Sequence, residues 1–286
     1  MNAPAARLLE VLNLEPIEQN LFRGAHEARG GRLFGGQVLA QALRAALKTV
    51  AGRAPHSLHG YFMRPGDPAR PALYDVERIR DGASFATRRV VAIQNGAAIF
   101  SMDASFQVEE DGLAHADAMP NVPLPEQLED DVQRARREST TNPHVSPWAR
   151  IERPFETRSV LVPGEVRIGA DRYWNPVWVR FRGQLPNDDP ELAYCLLAYV
   201  SDMGMVSTSA MPHMKDIARV DIQMASLDHA LWFLRPFRID QWLLFVKRTS
   251  SAANARGMNH ADIFDREGQL VASVSQEGLM RVPGAR

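Results

Sequence analysis

An aspartate stands near the end of the most apolar stretch of this 286-residue chain, residues 190–205. Leu192, Ala193, Cys195, Leu196, Leu197, Ala198, Val200 and Met203 leave almost no polar face, so the spacing predicts a buried helix with Asp202 inside it. A carboxylate in such surroundings is costly unless it is hydrogen-bonded, and its partners must come from elsewhere in the chain. Two polar residues stand out on otherwise apolar, strand-like runs downstream: Ser226, opening the strand in ASLDHALWF, and Gln276 in VASVSQEGL. Their chemistry complements an acid. A carboxylate accepts only and can serve as general base, a hydroxyl donates and accepts, and an amide orients a neighbour without titrating.

The elements that must position these groups are legible in outline. Asp188, Asp189 and Pro190 read as the start of the buried helix, acids capping free amides and proline in the first turn. In the first half, an opening strand over 16–23 is followed by the glycine-rich loop Gly30, Gly31, Gly35, Gly36 and by a helix over 37–50, with Gln37 and Gln41 one turn apart. Strand character then recurs at 56–64, 72–80, 84–94 and 97–108, with Asp81-Gly82 and Asn95-Gly96 as hairpin dipeptides. The second half repeats the grammar: strands at 154–161 and 176–183, the buried helix, then strands at 225–235, 241–250, 256–264 and 269–281. Arg64 and Arg235 end matching aromatic runs 171 positions apart, and the turn glycines Gly96 and Gly268 are 172 apart. That near-constant interval predicts a duplicated module, 1–108 and 154–286, joined by an acid- and proline-rich linker at 109–153 with a short helix near 126–137. Each module would be an antiparallel sheet laid over one helix, an α+β fold.

Composition narrows the classes further. With 45% apolar residues the chain buries a sizeable core, and no stretch is long and apolar enough to span a bilayer. Residues 1–16 lack a signal-peptide pattern and look like a short amphipathic helix, so a cytoplasmic protein is expected. The single cysteine, Cys195, cannot pair internally and reads as core filling. A net charge of −1 with mixed signs gives no footprint for nucleic acid or an anionic membrane.

Six blocks in order resemble the acyl-CoA thioesterase II family over nearly the whole length: 21–43 (LFRGAHEARGGRLFGGQVLAQAL), 56–67 (HSLHGYFMRPGD), 84–90 (SFATRRV), 198–203 (AYVSDM), 226–244 (SLDHALWFLRPFRIDQWLL) and 271–281 (VASVSQEGLMR). The resemblance implies a double hot-dog fold, acyl-CoA as substrate, no cofactor and no metal, and a homo-oligomer, dimer or tetramer. It also implies that Asp202, Ser226 and Gln276 hold an attacking water, with Asp202 as general base. At the position matching Gln276 in the first half stands Ala104, as expected if one copy alone kept the chemistry. Backbone amides at Gly35 and Gly36 are a candidate source of oxyanion donors. His59 is a candidate for the acyl or thioester pocket, and Arg64, Arg88, Arg235 and Arg256 are candidates for the phosphates of coenzyme A.

Other chemistries fit less well. No G-x-S-x-G is present for a serine hydrolase, and the glycine-rich loop lacks a P-loop lysine. His56 and His59 are spaced so that a strand would point them to opposite faces, without a third metal ligand. Asp228 and His229 face opposite ways for the same reason, and Asp228 reads as a structural group. Two alternatives stay open: a non-catalytic acyl-CoA binding module, and a hot-dog hydratase or dehydratase in which His59 or His229 would be essential and Gln276 dispensable. The C-terminal Pro-Gly-Ala-Arg is not a peroxisomal address of the serine-lysine-leucine kind.

Overall fold

Asn2 accepts from the amide of Ala5 and so caps α1 (Ala3–Leu12), whose side bearing Leu8, Val11 and Leu12 is buried. The computed structural model describes residues 2–26, 31–142, 145–160, 174–187, 189–214 and 222–282. Gly30, Leu161, Asp188 and the last four residues of the sequence lie outside the described residues. The segment expected as one opening strand is a hairpin, β1 (Glu15–Glu18) and β2 (Leu21–Gly24), because Gln19-Asn20 turns the chain back on itself. Then follow α2 (Gly35–Leu47), β3 (Ala54–Phe62), β4 (Ala72–Asp81), β5 (Phe85–Gln94) and β6 (Ala97–Gln107). Asn95 and Gly96 both take positive φ (52° and 72°), the geometry that lets a two-residue turn match the twist of β5 and β6.

After α3 (Asp131–Glu138), the second half builds β7 (Phe155–Ser159), β8 (Trp174–Phe181), α4 (Leu192–Ser201), α5 (Met205–Ala210), β9 (Gln223–Ser226), β10 (Asp228–Phe233), β11 (Leu243–Ala253), β12 (Arg256–Phe264) and β13 (Leu270–Arg281). Two expectations need correction here. Residues 225–235 are not one strand: Leu227 breaks them into β9, which pairs with β13, and β10, which pairs with both β13 and β3. Asp189 does not cap α4 either, since Glu191 is its N-cap and makes no side-chain cap bond. Asp189 is instead drawn into an ion pair with Arg44 of α2, an interaction across 145 residues of sequence that no local start signal reveals.

The main path of the antiparallel sheet runs β1-β2-β4-β5-β6-β3-β10-β13-β12-β11-β8-β7, a palindrome about the β3–β10 pair. At that seam His59 lies opposite Ala230, 171 positions away, the same interval that separates the sequence landmarks. The strands of the first half cover α2, which packs against α4, and α4 in turn meets β10 through Tyr194 on Phe233 and Ser201 on His229. The contact between the two helices depends on Gly36, where a β-carbon would lie 2.3 Å from the carbonyl oxygen of Tyr199. Gln41, wholly buried on α2, donates to the carbonyls of Val11 and Ala25 and accepts from Tyr74, so a polar side chain in the core has its donors and acceptor met.

Residues 109–153 are more than a spacer. Trp178, Trp242, Leu244, Val246 and Phe264 form a second cluster, against which Met119, Val122 and Leu128 pack. Trp178 Nε1 donates to the carbonyl of Pro123, Asp131 accepts from Ser159, and Arg182 pairs with Asp130. The segment is a strap laid over side chains that would otherwise meet water. Its acids and prolines predict a linker with one short helix, and its three apolar anchors are too widely spaced to register as an element.

Candidate active site

Gly204, with φ of 74°, takes the left-handed conformation that stops a helix, so α4 ends at Ser201 and Asp202 is its C-cap residue rather than an interior one. The carboxylate is nonetheless buried, at 6% exposure. Ser226, ending β9, donates to Asp202 Oδ1 at 3.0 Å. Gln276, on β13 and wholly buried, directs Nε2 to the same Oδ1 at 2.8 Å and to Ser226 Oγ at 2.6 Å. The register explains the meeting: Ser226 pairs with Gly278 of β13, two residues beyond Gln276 on the same face.

Oδ1 is thus occupied, and Oδ2 is turned toward α2. A β-carbon built on Gly35 would lie 2.9 Å from Oδ2 and 3.0 Å from the ring of Phe62, so only a glycine leaves the carboxylate open at this point. The electrostatics are asymmetric. A carboxylate at the C-terminus of α4 faces the negative end of that helix, which is unfavourable, while the N-terminus of α2 offers its positive end. Among the described residues no side chain caps α2, and its first turn carries no acid, so no described cap claims the Gly35 and Gly36 amides.

Asp202, Ser226 and Gly35 line a cavity of about 580 Å³. Its apolar wall includes Leu33, Phe34, Val38, Phe62 and Phe100, and Arg32 and Arg64 stand at its rim, both exposed. Arg64 also donates to the carbonyl of Ala98 at 2.6 Å. His59 is placed elsewhere. It is exposed on the face of β3 opposite buried Leu58, edge-on to Trp232, and does not line the cavity. Gly36 lies one residue behind Gly35, in the α2–α4 contact.

Residues 150–279 match the sequence family described as acyl-CoA thioesterase, and residues 23–107 match the acyl-CoA thioesterase N-terminal domain. The chain is 40% identical over 284 residues to acyl-coenzyme A thioesterase 8 of Mus musculus, covering 95% of this chain and 88% of that protein. The chain belongs to the acyl-CoA thioesterase family. Among solved structures, an acyl-CoA thioesterase II, TesB2, from Mycobacterium marinum aligns with a TM-score of 0.81 at 40% identity, over 98% of this chain and 99% of that one. A protein from Alicyclobacillus acidocaldarius described as having a hot dog fold aligns with a TM-score of 0.76 at 20% identity over 97% of this chain and 98% of that one, a likeness of fold alone. The enzyme is therefore a thioester hydrolase built on the hot-dog fold. No helix among the described residues is long and apolar enough to cross a membrane.

Several other expected residues of this thioesterase do different work. Arg88 is 1% exposed and is spent on Thr49, Asp81 and backbone carbonyls, so it cannot meet a phosphate. Arg235 holds the carbonyls of Leu270 and His115, and Arg256 pairs with Glu277. Asp228 accepts from the amide of Glu277 at 2.6 Å, a structural role. Burial pushes the Cys195 thiol up to about 12, which makes it inert as a nucleophile. In the first half of the chain Ala104, 172 positions before Gln276, is a buried apolar residue on β6, with no amide to offer.

Sequence reading missed Lys247, whose signal was a lone lysine in the apolar run WLLFVKR. It is buried on β11 and donates to the carbonyl of Met203 at 2.7 Å, bracing the turn that presents Asp202. Burial pushes its ammonium down to about 8, partly offset by the charges of Asp131 and Asp202. The unfolded chain keeps this proton to about pH 10.4. Between about pH 8 and pH 10.4 the unfolded state therefore binds more protons than the native state, and this residue makes stability rise with pH. Lys247→Met removes that slope. Urea midpoints at about pH 7 and about pH 9.5 are expected to show the wild type gaining on the variant at the higher pH, and a constant difference between them refutes the assignment.

Proposed function

We propose that the cavity hydrolyses acyl-CoA to a free fatty acid and CoA, with water activated by Asp202 and the carboxylate held in place by Ser226 and Gln276. The observation that carries this reading is the convergence of Ser226 and Gln276 on Oδ1 of the Asp202 carboxylate, whose Oδ2 is turned toward Gly35 where both residues line a largely apolar cavity. Asp202 Oδ2 takes a proton from water as the oxygen bonds to the thioester carbonyl carbon. The tetrahedral oxyanion is met by the amides at the N-terminus of α2, Gly35 and Gly36, and its collapse breaks the C–S bond. The departing thiolate recovers the proton from Asp202. No covalent enzyme intermediate forms.

The acyl chain lies along Phe34, Val38, Phe62 and Phe100, and the phosphates of CoA meet Arg32 and Arg64 at the rim, where exposed cations are not desolvated. The site spans both proposed modules, 1–108 and 154–286, since the α2 amides come from the first and the carboxylate from the second. A hydratase reading would need an imidazole facing the substrate, and no histidine is among the cavity's described lining residues.

Acyl-CoA esters of increasing chain length, assayed for free thiol, test the proposal. Saturable thiol release that depends on chain length is expected, whereas tight binding of the esters with no release identifies a binding module instead.

A further inference from the structure

His229 is 1% exposed on β10 and is absent from the cavity wall, yet it touches the catalytic trio from behind. Its Nδ1 lies 3.2 Å from Gln276 Oε1, and its Nε2 lies 2.9 Å from Ser201 Oγ, the last residue of α4. We propose that His229 is a positioning residue whose Nδ1–H donates to Gln276 Oε1 and so fixes which end of the glutamine amide faces Asp202, a role that rests on the thioesterase reading above.

The assignment follows from counting donors. The end of Gln276 that sits 2.8 Å from Asp202 Oδ1 must be the NH₂ group, because an amide oxygen there would oppose a carboxylate oxygen. Oε1 is then turned to His229, and an oxygen needs a donor. The Nδ1 of His229 must therefore carry the hydrogen. The ring stays neutral in this position: burial lowers its affinity for a second proton, against the opposing pull of Asp202 and Asp228. A neutral Nδ1–H ring has a bare Nε2, and the Ser201 hydroxyl supplies the hydrogen for it. The Ser201 hydroxyl is also placed to donate to the carbonyl of Ala198 at 2.9 Å, but among the described residues the imidazole Nε2 has no other donor, so the hydrogen is directed to the ring. The chain of bonds runs Ser201, His229, Gln276, Asp202, so the end of α4 is tied to its own C-cap carboxylate through two strands.

Two substitutions separate this role from packing. In His229→Asn the amide nitrogen can occupy the place of Nδ1 and still donate, whereas His229→Leu fills the space without a donor. The leucine variant is expected to lose about 10- to 100-fold in kcat with KM nearly unchanged, and the asparagine variant to recover most of that loss. Equal kcat in the two variants overturns the proposal. The nitrogen-15 NMR spectrum of the unliganded wild type at neutral pH decides the matter independently, even if the leucine variant fails to fold: a protonated Nδ1 and bare Nε2 support the assignment, and a bare Nδ1 overturns it. The spectrum requires no substrate. Absence of thiol release by the wild type would defeat the thioesterase reading, and with it any catalytic consequence, while the NMR result still settled the orientation of the amide.

Discussion

Asp202→Asn is expected to lower kcat for thioester hydrolysis by roughly 10²–10⁴-fold while leaving the protein folded. An asparagine oxygen in the place of Oδ1 keeps both hydrogen bonds, from Ser226 and from Gln276, so the trio stays assembled. The change falls on the other end of the side chain. There an NH₂ group replaces Oδ2, can accept no proton from water, and turns a donor toward the α2 amides where the carboxylate offered an acceptor. Removing a negative charge relieves its conflict with the C-terminus of α4 and forfeits its attraction to the N-terminus of α2, terms of about 0.3–1 kcal/mol each that oppose one another. Thermal unfolding should therefore move by only a few degrees. Thiol release measured beside circular dichroism melting separates the two effects. A variant that keeps near-normal turnover and melts like the wild type would remove Asp202 from the role of base.

The regular elements were readable because their patterns are local. Alternation in FATRRVVAIQ and RGMNHADIF marks β5 and β12, and the left-handed demand of Asn95-Gly96 is met by those residue types alone. The three polar members of the candidate site were readable, since a carboxylate, a hydroxyl and an amide stand out against apolar neighbours, and the fold brings them within hydrogen-bonding distance. The geometry of the site was less so. Gly204 was available as a helix stop two residues after Asp202, but the apolar run continues through Met203 and Met205 and masked it. Leu227 gave no warning of a break, because the division between β9 and β10 comes from pairing: its amide binds the carbonyl of Glu277 and its carbonyl receives the amide of Phe62, on two different strands. His59 and Arg88 show the same limit in opposite directions. Each has the chemistry expected of a substrate contact, but the pleat turns His59 outward to solvent and the end of α2 draws Arg88 into the core, where it holds Thr49.

Gly35→Ala should lower turnover about as far as losing an oxyanion donor does, on the order of 10²–10³-fold, without unfolding the protein. The position has no need of glycine for its backbone, which is helical, and alanine is the better helix former by up to about 1 kcal/mol. What the methyl group meets is the proposed base and the cavity wall: Asp202 Oδ2 at 2.9 Å and the Phe62 ring at 3.0 Å. Both contacts are tight enough that the carboxylate or the ring must give way. Either movement displaces Oδ2 from the approach of water or narrows the cavity where the thioester carbonyl must lie. Helix propensity and steric strain oppose one another in stability, so the melting temperature should change little, but both geometric consequences act against catalysis. Gly36→Ala provides the contrast, because its methyl group would lie 2.3 Å from a backbone carbonyl of α4 and would force the two helices apart. Loss of turnover at Gly35 with an unchanged melt, beside loss of stability at Gly36, would separate the glycine that opens the site from the glycine that lets the helices pack. Full activity in Gly35→Ala would mean that Oδ2 does not face the reacting thioester across this gap.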